Sequence, residues 1–146
     1  TYDDSKGWFI HPTVIRCDSP YYESMVREIF GPILSIYVYE DSQLDETLRI
    51  CDTASPYALT GAVFAQDRQA IVKMERALRN SCGNFYINDK CTGAIVGQQP
   101  FGGARASGTN DKAGTSLNII RWVSAHAVKE AFSPSCSINY PYMQEP

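Results

Sequence analysis

The chain has 146 residues, 44% apolar and 20% charged, with 13 basic against 16 acidic side chains and a formal net charge of -3. This is globular rather than disordered composition, and scattered charges of both signs argue against a nucleic-acid or membrane partner. Surface scaling predicts about 7,500 Å² exposed when folded against about 23,600 Å² extended, so about two thirds of the surface should be buried without help from disulfides.

Cys17, Cys51, Cys82, Cys91 and Cys136 are an odd, widely spaced set with no CxxC pair, and only His11 and His126 could join them as imidazole ligands. A disulfide framework or structural zinc site is not expected, and a reducing compartment fits better. No run approaches the roughly 20 apolar residues of a bilayer crossing, and the start lacks a signal-peptide pattern. Opening on Thr1 rather than Met suggests processing or truncation.

In chain order, Asp3 to Gly7 reads as a turn, and Trp8–Ile10 and Thr13–Ile15 as short β-prone runs that Pro12 interrupts or places at an edge. Ile33 to Tyr39 predicts a strand buried on both faces. Ser42, with Asp45 three residues on, forms a weak capping box for a helix over about 43–53 with Leu44, Thr47, Leu48 and Cys51 on one face, ended by Ser55-Pro56. Gly61 to Ala65 reads as a short central strand. Asp67 then caps a helix whose apolar stripe is Ala70, Ile71, Met74, Ala77 and Leu78, with Lys73, Arg76 and Arg79 on its solvated face and Gly83 as its stop. Phe85 to Ile87 is the next strand. The alternation predicts an α/β fold, an open parallel sheet with helices.

From Asn88 to Thr115 six glycines break all periodicity, and the low charge with interspersed Val96, Pro100 and Phe101 favours an ordered, functional loop. Leu117 to Val123 is a β-prone run, Ala127 to Phe132 a short helix or further strand, and the tail after Ser133 a coil.

The loop glycines fit neither GxGxxG nor GxxxxGK[ST]; close approach of a ligand to the backbone and simple turn-making both remain open. Cys82 follows a helix C-terminus, where the dipole disfavours a thiolate, and Cys91 has only Lys90 beside it, so both read as spectator thiols. Glu28, just ahead of a strand, could accept hydrogen bonds from ligand hydroxyls or simply face solvent. Phe101 could face a ligand or plug the core.

Two segments carry more. Glu28-Ile29-Phe30-Gly31-Pro32 closely resembles the EIFGP signature of aldehyde dehydrogenases, and Pro100 to Gly108 is similar to their PFGGxxxSG signature. The run Gly83 to Lys90, continuing through Gly97-Gln98-Gln99 and Asn110-Asp111-Lys112, resembles the pyrroline-5-carboxylate branch of that family.

The resemblance implies the later part of an aldehyde dehydrogenase catalytic domain over 1–118 and an oligomerisation strand with its tail over 119–146. It implies NAD-dependent oxidation of glutamate γ-semialdehyde to glutamate in proline catabolism, in the mitochondrial matrix of a eukaryote or otherwise in the cytoplasm. The nucleophilic cysteine would lie upstream, so no catalytic residue is assigned here. Glu28 and Phe30 match the family's contacts to the nicotinamide ribose. Gly93 and Ala94 match the loop that anchors the substrate's α-carboxylate, and Phe101 matches an aromatic lining the aldehyde site. The expected partners are the aldehyde, the remainder of the subunit and a further copy in a homodimer or higher homo-oligomer. Ala94 departs from an expected serine, and losing one donor to a carboxylate costs about 1.5–3 kcal/mol. The alternative is a naturally truncated, non-catalytic relative acting as a structural or interaction subunit.

Overall fold

The computed structural model describes residues 2–143. Its strands are β1 (Tyr2–Asp3), β2 (Phe9–Ile10), β3 (Thr13–Cys17), β4 (Ile33–Tyr37), β5 (Tyr57–Ala58), β6 (Thr60–Val63), β7 (Asn84–Ile87) and β8 (Ala104–Arg105). The α-helices are α1 (Glu23–Val26), α2 (Leu44–Thr53), α3 (Arg68–Leu78) and α4 (Ser116–Ile119).

The α/β class stands, but of the two expected crossovers only the one through α3 forms; the one expected through α2 does not, because β4 pairs with β3, in a parallel unit that was not anticipated, and not with β6. β3 passes through α1 into β4, with Thr13 opposite Ile33 and Cys17 opposite Tyr37. β6 passes through α3 into β7, with Thr60 opposite Asn84 and Val63 opposite Ile87. The expected single sheet is instead a set of two-stranded pieces, since these parallel pairs stay separate and β1–β2 and β5–β8 pair antiparallel. Local sequence specifies a strand–helix–strand unit well, but the edge against which each unit docks depends on distant chain. Pro12 does interrupt the first strand signal, separating β2 from β3.

Asp67 caps α3 as predicted, its carboxylate accepting from the backbone N–H groups of Gln69 and Ala70 at 3.0 and 3.2 Å. The box ahead of α2 forms two residues earlier than predicted. The Glu40 side chain accepts from the backbone N–H of Gln43, whose own side chain accepts from the Glu40 N–H. The reason is a 3₁₀ turn at Asp41–Gln43, which moves the unpaired N–H groups forward. Asp45 instead reaches Lys73 of α3, at 2.6 Å.

Burial departs further from expectation. The buried apolar side chains among the described residues are Cys17, Leu48, Ala58, Val63, Ile71 and Tyr86. β4 is not covered on both faces, because it pairs with β3 alone and carries only the one-turn α1 against it; Leu34 and Ile36 stay exposed. The chain exposes 12222 Å², about half its extended surface rather than the expected third.

The segment after the loop is helical where strand was predicted. Leu117 lies in α4, Ile120–Trp122 form a 3₁₀ turn, and the Trp122 indole N–H donates to the Asn118 side chain at 3.3 Å. Among the described residues no strand follows Arg105. A β-prone run without an adjoining edge cannot satisfy its backbone, so local i to i+3 bonding takes over. Among the described residues no helix is long and apolar enough to cross a membrane.

Candidate functional site

Glu28 and Phe30 lie on the connection from α1 to β4. Gly31-Pro32 closes that connection, where the Pro32 carbonyl accepts from the Thr13 N–H at 2.9 Å and locks the start of β4 beside β3. Glu28 and Phe30 line a cavity of about 260 Å³ together with Met25, Arg27, Ser55 and Tyr57. Phe30 has φ +59° and its side chain is 93% exposed. A bulky aromatic in the left-handed region is strained by about 1–3 kcal/mol, and here no packing of the ring offsets it. Strain of this kind collects at ligand clamps, and the ring is free to lie against a planar or sugar-bearing ligand beside the Glu28 carboxylate.

The second group sits on the loop after β7, which is ordered as expected. Ile95 bridges Gln99, Phe101 bridges Ala113, and β8 pairs with β5. The Gly93 N–H donates to the Tyr86 hydroxyl at 3.0 Å, so the turn carrying Gly93 and Ala94 rests on a buried side chain of β7. Phe101 is held on both sides. Its N–H donates to the Ala113 carbonyl at 3.0 Å, its own carbonyl accepts from the Ala113 N–H at 2.8 Å, and the side chain is 37% exposed. The Ser107 hydroxyl accepts from the Ala58 N–H at 3.0 Å, and the Lys112 ammonium donates to the Gly83 carbonyl.

The arginine of this loop has a structural partner. The Arg105 guanidinium donates to the backbone carbonyl and carboxylate of Asp52, while the Ser81 hydroxyl donates to the same carboxylate at 2.7 Å. The Ser81 hydroxyl, and after it Arg105, hold the Asp52 carboxyl below its ordinary range. These contacts join the end of α2, the turn after α3 and β8.

The sequence-predicted residues therefore fall in two places. Glu28 and Phe30 share one cavity; Gly93, Ala94 and Phe101 share one loop. β5 connects them, since Tyr57 lines the cavity and also pairs with Arg105, four residues beyond Phe101. Sequence reasoning passed over Asn84 and Tyr86, whose side chains support the loop. The available signal was a polar Asn opening an otherwise apolar strand, two residues before a Tyr on the same face.

Burial pushes the Cys82 thiol up in pKa, with Lys112 only partly opposing it, and burial likewise raises Cys51. Among the described residues no cluster of three or more His, Cys, Asp or Glu side chains could hold a metal ion. These two groups of side chains are arranged so that they can bind and orient a ligand.

Comparison with known proteins places these features in a family context. The aldehyde dehydrogenase family model matches residues 1–125. The chain is 63% identical over 144 residues to the mitochondrial delta-1-pyrroline-5-carboxylate dehydrogenase of Dictyostelium discoideum, covering 99% of this chain and 26% of that protein. It is 53% identical over 142 residues to the human mitochondrial enzyme of the same name, covering 97% and 25%. Among solved structures, the NAD-bound delta-pyrroline-5-carboxylate dehydrogenase of Mycobacterium tuberculosis matches with a TM-score of 0.81 at 53% identity, over 99% of this chain and 26% of that one. The chain thus spans about a quarter of the length of the relatives it matches.

Proposed function

The chain belongs to the aldehyde dehydrogenase family, and from that membership we propose that it is the later part of an NAD-dependent enzyme oxidising glutamate γ-semialdehyde to glutamate. The observation that carries this reading is the pairing of a strained, exposed Phe30 with Glu28 at one cavity, and a backbone-clamped Phe101 on a loop linked to that cavity through β5. The names and identities of the relatives support the substrate class, and the NAD-bound neighbour supports the cofactor.

The residues present fit NAD. The Glu28 carboxylate is an acceptor for the two hydroxyls of a ribose, and the exposed Phe30 ring supplies an apolar wall beside it. When bound, the cofactor supplies the hydride acceptor. The chain's own contribution is to hold the ribose at Glu28 and Phe30, to receive the substrate's α-carboxylate at the Gly93–Ala94 turn, and to flank its carbon chain with Phe101. The nucleophilic thiolate comes from the remainder of the subunit. In a eukaryotic source the mitochondrial matrix is the expected location, as the names of the Dictyostelium and human relatives support; in a bacterium it is the cytoplasm.

Residues 1–118 form the partial catalytic domain in this reading, and 119–146 the oligomerisation segment. The latter exposes Trp122, Val123, Val128, Phe132 and Ile138, apolar side chains suited to a second copy of the enzyme.

The test is to isolate the native polypeptide from its source. Its intact mass should be several times 16.3 kDa, and it should reduce NAD with glutamate γ-semialdehyde. Glu28→Gln should raise KM for NAD about tenfold, the cost of weakening a charged hydrogen bond. A native mass near 16.3 kDa with no turnover would favour the non-catalytic subunit instead. Ala94 gives a separate prediction. Ala94→Ser restores a hydroxyl donor at the turn and should lower KM for glutamate γ-semialdehyde about tenfold with kcat little changed, read by steady-state kinetics.

A further inference from the structure

β7 is short, but two of its side chains reach the loop that follows it. Asn84 and Tyr86 alternate onto one buried face, 4% and 5% exposed, and both end in polar atoms bonded to the substrate loop. The Asn84 amide donates to the Pro100 carbonyl at 2.9 Å, and its oxygen accepts from the Gly102 N–H at 3.1 Å. This assigns the amide unambiguously, since the flipped orientation would set donor against donor and acceptor against acceptor. The Tyr86 hydroxyl accepts from the Gly93 N–H at 3.0 Å.

The consequence is geometric. Pro100 and Gly102 flank Phe101, so Asn84 grips the backbone immediately before and after that ring. With the two bonds to Ala113, the peptide groups on both sides of Phe101 are all paired, and the ring's direction is set from beneath. Tyr86 holds the other recognition element, the turn with Gly93 and Ala94, from the same strand face. Its ring is buried and its hydroxyl spans the gap to the turn. An apolar side chain in place of Asn84 would leave the half-buried Pro100 carbonyl and Gly102 N–H without their partner, whereas loss of the Tyr86 hydroxyl costs the exposed Gly93 turn its one bond to β7.

We propose that Asn84 and Tyr86 are positioning residues for substrate selection, Asn84 setting the Phe101 wall and Tyr86 setting the carboxylate-anchoring turn, so that one strand fixes the spacing between the aldehyde end and the α-carboxylate end of the substrate. This rests on the functional reading above and adds to it the device that determines specificity. The two roles are separable by substrate. The Phe101 wall touches the carbon chain that any aldehyde of that length possesses, whereas the turn matters only to a substrate with an α-carboxylate.

The experiment uses the full-length enzyme with glutamate γ-semialdehyde and with pentanal, an uncharged aldehyde of the same chain length. Tyr86→Phe removes one hydrogen bond and little volume. It should raise KM for glutamate γ-semialdehyde about fivefold, leaving its kcat and both constants for pentanal within about twofold. Asn84→Ala should lower kcat/KM about tenfold for both aldehydes, since the ring they share loses its setting. If Asn84→Ala yields no soluble enzyme, Asn84→Asp, which keeps the acceptor for the Gly102 N–H and loses the donor to Pro100, takes its place, and either variant leaving both aldehydes unchanged overturns the Asn84 role. Wild-type enzyme that reduces no NAD with glutamate γ-semialdehyde overturns the functional reading and the proposal with it. An active wild type whose Tyr86→Phe variant shifts both aldehydes equally, or neither, overturns the positioning claim while leaving the function intact.

Discussion

Replacing Gly83 by Ala is expected to cost the proposed full-length enzyme about 3 kcal/mol or more of stability, and about a hundredfold in kcat/KM. A Cβ at Gly83 would lie 1.8 Å from the Gly102 carbonyl oxygen, 2.8 Å from its carbon and 2.9 Å from the Gly103 Cα. All three are backbone atoms, so no side-chain rotation relieves the clash, and the loop must move by more than an ångström. Movement there breaks bonds that converge on this point. The Gly83 N–H donates to the Ala58 and Leu59 carbonyls, its carbonyl receives Lys112, and the next residue, Asn84, grips both sides of Phe101. In the proposed reading, where Phe101 flanks the substrate, misplacing the ring by this much is enough for the loss in rate. Thermal unfolding and steady-state kinetics read the two effects. Gly93→Ala is the contrasting control for stability, since a Cβ there meets nothing within 4 Å, and it should stay within about 0.5 kcal/mol of wild type.

The second large effect concerns the 146 residues alone. They expose 12222 Å², about 1.6 times what a folded monomer of this mass presents. Much of the excess is apolar, with Phe9, Val14, Phe30, Leu34, Val38 and Ile120 all well exposed. At roughly 25 cal/mol per Å², leaving this area in water forgoes a large share of the drive that opposes chain entropy. Expressed by themselves, residues 1–146 should bind a hydrophobic dye strongly and show no cooperative thermal transition, whereas the full-length enzyme should bind little dye and unfold cooperatively. A sharp, reversible transition of a monomeric 146-residue chain would show instead that the small core around Leu48, Val63, Ile71 and Tyr86 suffices.

What was legible in the sequence follows from range. α3 was readable to its cap because Asp67, the apolar stripe and the basic end act within a few residues of one another. The crossover from β6 through α3 to β7 was readable for the same reason, whereas the four-residue α1 between β3 and β4 is too short to leave a periodic signal, and the crossover expected through α2 did not form. The positions of Glu28, Phe30, Gly93, Ala94 and Phe101 came from two short signatures and a longer run. Helix against strand at Leu117 to Val123 was not readable, because a β-prone run becomes a strand only beside a free edge. Nor was the exposure of β4. Its apolar run states only that both faces suit a dry environment, and the elements packed on them are not encoded nearby.

The amino-acid sequence by itself therefore determined the α/β class, the β6–α3–β7 unit and the family signatures, since capping, periodicity and motif spacing are all local. Only the tertiary structure decided that β7 turns Asn84 and Tyr86 onto the loop that carries Gly93 and Phe101, that β5 ties that loop to the Glu28 cavity, and that Gly83 leaves no room for a Cβ. Those contacts join residues up to about fifty positions apart, and hydrogen bonds across such separations depend on where each backbone finally docks rather than on the composition of either segment.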